Sequence, residues 1–326
     1  MAFSDREESM SDATVQQLGP GLWVIDHHFL GVPGVIASYL LAGDDGLTLI
    51  ETGATSTLET LLAGIRAAGF TPDQITQIAV THIHLDHAGA SGVLLRQIPH
   101  AQLLVHPNGA QHMIDPSRLL ASAARLYGDD MDRLWGEVIP VPADRVRVLQ
   151  DGETFRAGGR ELTALDTPGH ANHHFAYYDA ANGDVFTGDV GGVRLDRAPY
   201  VRPPTVPPEF DPAAWRASIA RLRALRPRRL LPTHFGAYDD PDWHLDDLLY
   251  RLGEWVGWAE ARLTDGADQE AALAELRERG DAEIMALDGG ADLLKPYEIA
   301  TAYAVSLAGL ARYVRKRREA QAQSQA

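Results

Sequence analysis

The sequence predicts an α/β fold: an αββα sandwich of two mixed β-sheets flanked by helices, with a C-terminal helical extension. Three observations carry this. Strand-like and helix-like segments occur in two mixed halves, which suits two sheets stacked face to face. From Pro241 onward the chain reads as helix almost throughout. Histidines and aspartates recur where predicted strands end, the places at which a rigid scaffold presents functional groups. A chain of 326 residues accommodates one large domain and an appendage. The expected division is a flexible N-terminus over 1–14, a mixed α/β domain over 15–240 and helices over 241–326 packed on it.

In chain order, residues 22–25 and 35–41 are rich in β-branched and aromatic residues and predict strands. Gly43-Asp44-Asp45-Gly46 is a turn signal, and 47–50 returns as a strand. Residues 56–68 predict a helix, because Leu58, Leu61, Leu62 and Ile65 share one face and Gly69 ends it. A short buried strand is expected over 78–81 and a helix over 86–97. Short helices follow within 107–138, among them 119–127 and 130–137. Strands resume over 146–186, broken by Asp151-Gly152, Gly158-Gly159 and Asn182-Gly183. A proline-rich loop over 199–208 leads to a helix over 213–225 and a last strand over 230–233. Trp255 and Trp258 lie at helical spacing and are expected in the core. A break is expected near Asp288-Gly289-Gly290.

Composition narrows the function. The chain has no cysteine, which excludes disulfides, thiolate metal sites and a cysteine nucleophile. Any metal must be held by histidine and carboxylate, a donor set that suits zinc, iron or manganese. The 45 acidic residues against 29 basic ones give a net charge of −16. That field opposes nonspecific binding to nucleic acid or anionic membrane, so the expected partner is a small-molecule substrate, with a homo-oligomer left open. The basic run Arg315–Arg318 is read as a cation cluster ending a helix. The polar start lacks the apolar run of a secretory signal, and a cytoplasmic location is the default expectation.

The main chemical signal is Thr81-His82-Ile83-His84-Leu85-Asp86-His87. Strand alternation puts His82 and His84 on one side, where both imidazoles meet one ion. Asp86 and His87, from the first turn of a following helix, aim at a second ion nearby. Thr167-Pro168-Gly169-His170 is a tight turn presenting His170. Thr187-Gly188-Asp189 places a carboxylate whose two oxygens could bridge two ions, and His234 again ends a strand. These complete a shell of five histidines and two aspartates. His173 and His174 are read as structural, one facing in and one out. Tyr127, Tyr200 and Arg202 are either substrate contacts or scaffold.

The motif order Glu51-Thr52-Gly53, His82 to His87, Thr167 to His170, Thr187 to Asp189 and Thr233-His234 resembles the metallo-β-lactamase-fold superfamily, particularly its glyoxalase II-like hydrolases. The resemblance makes residues 15–240 a metallo-β-lactamase-like domain. It implies one ion on His82, His84 and His170, another on Asp86, His87 and His234, and Asp189 between them. The family usually has Asp where this chain has Glu51, a residue that supports ligands rather than binding metal. The expected function is a dinuclear metal-dependent hydrolase, with two divalent ions, zinc first. A metal-bridging hydroxide would attack a small ester, thioester or lactone, and Asp86 and Asp189 would serve as catalytic carboxylates. The alternatives are an iron-dependent sulfur dioxygenase on the same fold, and a phosphodiesterase or nuclease.

Overall fold

The computed structural model describes residues 14–264 and 266–325. The expectation for residues 1–13 lies outside the described residues. The first half of the chain builds β1 (Val15–Gly19), β2 (Leu22–Asp26), β3 (Ala37–Gly43), β4 (Gly46–Ile50), α1 (Leu58–Ala67) and β5 (Ile75–Ala79). It continues with α2 (Leu85–Ala88), α3 (Ser91–Gln97), β6 (Gln102–Val105), α4 (Pro107–Ile114), α5 (Ser117–Tyr127), α6 (Met131–Trp135) and β7 (Val146–Val148). These strands form one seven-stranded sheet in chain order. β1 to β4 pair antiparallel, and β4 to β7 pair parallel.

The second half supplies β8 (Thr154–Ala157), β9 (Arg160–Asp166), β10 (Phe175–Asp179), β11 (Asp184–Phe186), α7 (Pro212–Ala224) and β12 (Arg229–Leu231). Its five strands are ordered β12-β11-β10-β9-β8, with β11 and β12 parallel. Four helices follow: α8 (Pro241–Arg262), α9 (Gln269–Met285), α10 (Gly290–Ala300) and α11 (Tyr303–Gln325). Among the described residues no helix is long and apolar enough to cross a membrane.

Alternation along the strands decides the layers. Tyr39 and Leu41 of β3 point to the inner core, where they meet Phe155, Leu162, Tyr177 and Phe186 of the other sheet. Leu40, between them, faces α1 and α3 with Leu49, Ile78 and Leu103. On the far side Ala176, Val185 and Leu230 pack against α7 and the C-terminal helices through Trp215, Leu245, Trp255 and Leu307. Both sheets are thus covered on both faces, the expected αββα arrangement. Trp255 and Trp258 lie in that outer core.

Three local expectations change. The predicted strand over 78–81 ends at Ala79, because Thr81 leaves the ladder: its N–H donates to Glu51 Oε2 and its carbonyl accepts from Phe175 N of the opposite sheet. His82 and His84 therefore sit on a bent segment beyond the strand, not on its pleat. The helix over 86–97 is split, because Thr52 N bonds the His87 carbonyl and Ala90 N bonds the Gly53 carbonyl. The edge strand β1, with Gln16 and Gln17 exposed, and the four-residue β6 carry too little pattern to be read from sequence.

A buried guanidinium fastens the C-terminal helices to the loop after β11. Arg202 donates to the carbonyls of Tyr297 (3.3 Å) and Thr301 (3.4 Å) and to the Tyr303 hydroxyl (2.5 Å). Its charge lies 4.3 Å from the Tyr303 ring centroid and 5.2 Å from that of Tyr297. Both Tyr200 and Arg202 are buried scaffold.

This layering makes a stability prediction. Leu61 on α1 is fully buried, whereas Tyr250 on α8 is 62% exposed. Leu61→Ala should cost about 2–5 kcal/mol in urea denaturation, and Tyr250→Ala under about 0.5 kcal/mol.

Candidate metal centre

All seven side chains singled out in the sequence meet where the two sheets end. Three sets have ligand atoms within 4.8 Å of one another: His82, His84 and His170; His82, His87 and Asp189; Asp86, His87 and His234. In the first set, His84 Nδ1 stands 2.9 Å from both His82 Nε2 and His170 Nε2. In the last set, His234 Nε2 and His87 Nε2 lie 3.4 and 3.7 Å from Asp86 Oδ2. Asp189 stands between the sets. Its Oδ1 is 3.1 Å from His87 Nε2 and 3.5 Å from His234 Nε2, while its Oδ2 is 3.3 Å from His170 Nε2.

Hydrogen bonds on the far side of each ring fix where its lone pair points. His170 Nδ1 donates to the Pro204 carbonyl and His234 Nδ1 to the Val35 carbonyl, each at 2.8 Å. His87 Nδ1 donates to Glu51 Oε1 at 3.2 Å. His82 Nδ1 donates to Thr81 Oγ1, which in turn donates to Glu51 Oε1. Every one of these rings thus turns its Nε2 inward, and His87 Nε2 and Asp189 Oδ1 are buried without a hydrogen-bond partner. Converging ring nitrogens and an orphaned carboxylate oxygen form a donor set that fits divalent cations.

Glu51 is the hub of these supports. Its carboxylate accepts from Thr81 N and Oγ1, His87 Nδ1 and Thr233 Oγ1, so it grips three segments that carry candidate ligands. It does so with φ at +65°, a region that non-glycine residues seldom occupy. The longer side chain reaches the same supporting role that the family resemblance assigns to an aspartate.

Two glycines let the elements close on the site. Gly169 (φ +137°) would put a Cβ 2.3 Å from Trp215 Cα. Gly188 (φ +50°) would put one 2.5 Å from Thr81 Oγ1 and 2.8 Å from His174 Nε2. Any side chain at Gly188 would push the Asp189 turn away from the two strand ends it touches.

Electrostatics shows what the cluster lacks. Burial, then His87 and His84, drives the His82 imidazole well below its usual range, and burial with His170 pulls His84 down to about 3. Burial opposes charge on His87 as well, yet Asp189, Asp86 and Glu51 together push its pKa well above the usual range. Burial also works against ionised Asp189, but His87, His170 and His234 keep it well below the carboxylate range. A buried site with this much carboxylate draws positive charge onto an imidazole, a charge that a bound metal cation would supply instead.

The flanking histidines were expected to alternate in and out, but both are buried. His174 donates from Nδ1 to Thr167 Oγ1 and accepts at Nε2 from Asp189 N, so it braces the Asp189 turn. His173 lines the cavity over the centre, with Nε2 3.4 Å from Glu209 Oε2. Tyr127 lines it too, its phenol pKa raised by burial and then by Asp86 and Asp189. The carbonyl supports at Val35 and Pro204 have no sequence signature, because any residue offers a carbonyl. Thr81, Thr233 and His174 adjoin the motifs and were within reach of that signal.

Comparison with known proteins agrees with the geometry. The sequence model described as metallo-beta-lactamase superfamily matches residues 31–234. The metallo-beta-lactamase fold-containing protein ST1585 of Sulfurisphaera tokodaii is 27% identical over 67% of this chain and 80% of its own. Its crystal structure superposes with a TM-score of 0.63 at 22% identity, covering 89% of this chain and 98% of that one. A hydroxyacylglutathione hydrolase of Aeromonas hydrophila is 31% identical over 47% of this chain, which spans only 44% of that relative's length. The acyl-coenzyme A thioesterase MBLAC2 of Gallus gallus is 27% identical over 72% of this chain and 83% of its own. The family match runs through all seven converging side chains and takes in well over half of the sequence, and on that ground the chain belongs to the metallo-beta-lactamase superfamily.

Proposed function

We propose that the chain is a hydrolase of small esters, thioesters or lactones that activates water between two divalent ions, zinc first. One ion is assigned to His82, His84 and His170, the other to Asp86, His87 and His234, with Asp189 shared. The observation that carries this reading is Asp189, whose two oxygens face the two donor sets separately. Bound ions of this kind lower the pKa of water toward neutrality and polarise a carbonyl.

The chain's own groups supply the rest. The supports on His82, His87, His170 and His234 keep the donors preorganised, so little rearrangement accompanies reaction. In the proposed reaction the water oxygen bonds to the carbonyl carbon. The bond to sulfur or oxygen breaks with its electron pair on the leaving atom, and a proton reaches that atom. Asp86 is assigned to carry that proton, since its carboxylate lines the cavity and keeps some exposure. His87 and His234 hold the Asp86 carboxyl down at about 2 against the effect of burial.

The full second donor set weighs against a single-iron dioxygenase. A confined, largely apolar cavity and a net charge of −16 weigh against a nuclease. The printed names of two relatives, a hydroxyacylglutathione hydrolase and an acyl-coenzyme A thioesterase, add weight to thioesters.

The test is a hydrolysis panel on the metal-replete full chain. Ester, thioester or lactone should be cleaved in preference to β-lactam and phosphodiester; turnover of the phosphodiester alone would contradict the reading. Asp189→Asn, which keeps size and removes charge, should lower activity about 100-fold or more with an unchanged circular dichroism spectrum. Full activity in that variant would remove Asp189 from the assignment.

A second prediction concerns pH. Cation uptake should release the proton that the carboxylates hold on His87. Binding must therefore weaken as pH falls, and metal content after dialysis should drop below about pH 6. Equal metal content at pH 5 and pH 7.5 would contradict it.

A further inference from the structure

The cavity over the metal centre has a volume of about 620 Å³, within the usual range for small-molecule sites. His84, Asp86 and Asp189 lie at its floor, and α5 forms one wall. Along that wall Leu119, Ala123 and Leu126 recur at i, i+4 and i+7, which puts them in one row. Arg118, Ser122 and Arg125 form a second row beside it with the same spacing. Both rows line the cavity. Facing the apolar row are Ile299 and Ala300 at the end of α10 and Val305 on α11, all half-buried.

The basic row sits at the mouth, since Arg118 and Arg125 are exposed. The other lining acids away from the metal centre are already engaged: Asp130 pairs with Arg133, Glu298 with Arg277 and Glu209 with His173. Among the described residues neither Arg118 nor Arg125 forms a salt bridge. Arg118 feels the carboxylate of Asp115, which does not line the cavity, and two guanidiniums free of salt bridges at the entrance, on a chain of net charge −16, are suited to an anionic ligand. The apolar slot between α5 and the α10–α11 corner is suited to a hydrocarbon chain.

We propose that the substrate is an amphiphilic acyl thioester: its apolar acyl chain lies in the slot between α5 and α10–α11, and anionic groups of its leaving thiol engage Arg118 and Arg125. This deepens the hydrolytic reading and rests on it. Both rows of α5 line the same cavity as Asp86 and Asp189, so one ligand can reach all of them.

The test separates binding from turnover. S-alkyl thioethers of coenzyme A, which carry phosphates but no scissile carbonyl, are titrated calorimetrically into the metal-replete full chain. The matching S-alkyl N-acetylcysteamines, with the same thiol end and no charge, serve as controls. Affinity for the coenzyme A series should rise about fourfold per added methylene until the slot is filled. The charge-reversed double variant Arg118→Glu, Arg125→Glu should weaken that series at least about tenfold and leave the neutral series unchanged. Ala300→Trp, which narrows the slot, should flatten the chain-length dependence, with circular dichroism and metal content as checks on folding. An affinity independent of chain length, or equal loss for charged and neutral analogues on charge reversal, would overturn the proposal. Hydrolysis is then measured on the corresponding thioesters. Thioether binding as expected with no thioester turnover would support the cavity assignment and overturn the hydrolytic reading.

Discussion

Buried charge at the meeting of the two sheets is the constraint on which the rest depends. Glu51, Asp86 and Asp189 are gathered with five imidazoles in a place almost closed to water. Burying carboxylates costs heavily unless they are paired and hydrogen-bonded. The chain meets that demand by ending strand after strand here. Glu51 follows β4, Thr81 and His82 follow β5, His170 follows β9, Asp189 follows β11 and His234 follows β12. Each strand end brings a donor or acceptor, and the two-sheet core holds the ends in register. The same carboxylates that make the site costly as bare protein suit it to holding cations.

The helices then decide what reaches that centre. α5 and α6 line one side of the cavity and the α10–α11 corner the other, with His84, Asp86 and Asp189 between them. The second wall is far away in sequence, yet Arg202 ties it to the loop that also carries Pro204, the carbonyl partner of His170. One short loop thus positions a candidate ligand and a cavity wall together.

Much of the site was legible in the sequence because ligand chemistry leaves a dense signal. Three histidines and an aspartate within six positions, followed by His170, Asp189 and His234 after predicted strands, named the residues that the fold gathers. The layered α/β architecture was legible because strand-like and helix-like segments fall in two mixed halves, whereas the opposite facing of Leu40 and its neighbours Tyr39 and Leu41, all apolar, shows only in the fold. Less visible was whatever depends on a single long-range bond. Thr81 leaves its strand because Glu51 and Phe175 capture its backbone groups. His174 braces Asp189 from another strand, and the partners of His170 and His234 are backbone carbonyls. The basic row beside the apolar row on α5 was present in the sequence, but only the cavity shows that both rows face the same space.

The central claim is that these seven side chains form one centre for two cations. Elemental analysis of the metal-replete full chain after removal of loosely bound metal tests it most directly. The account predicts about two divalent transition-metal ions per chain; one ion, or none, would contradict it.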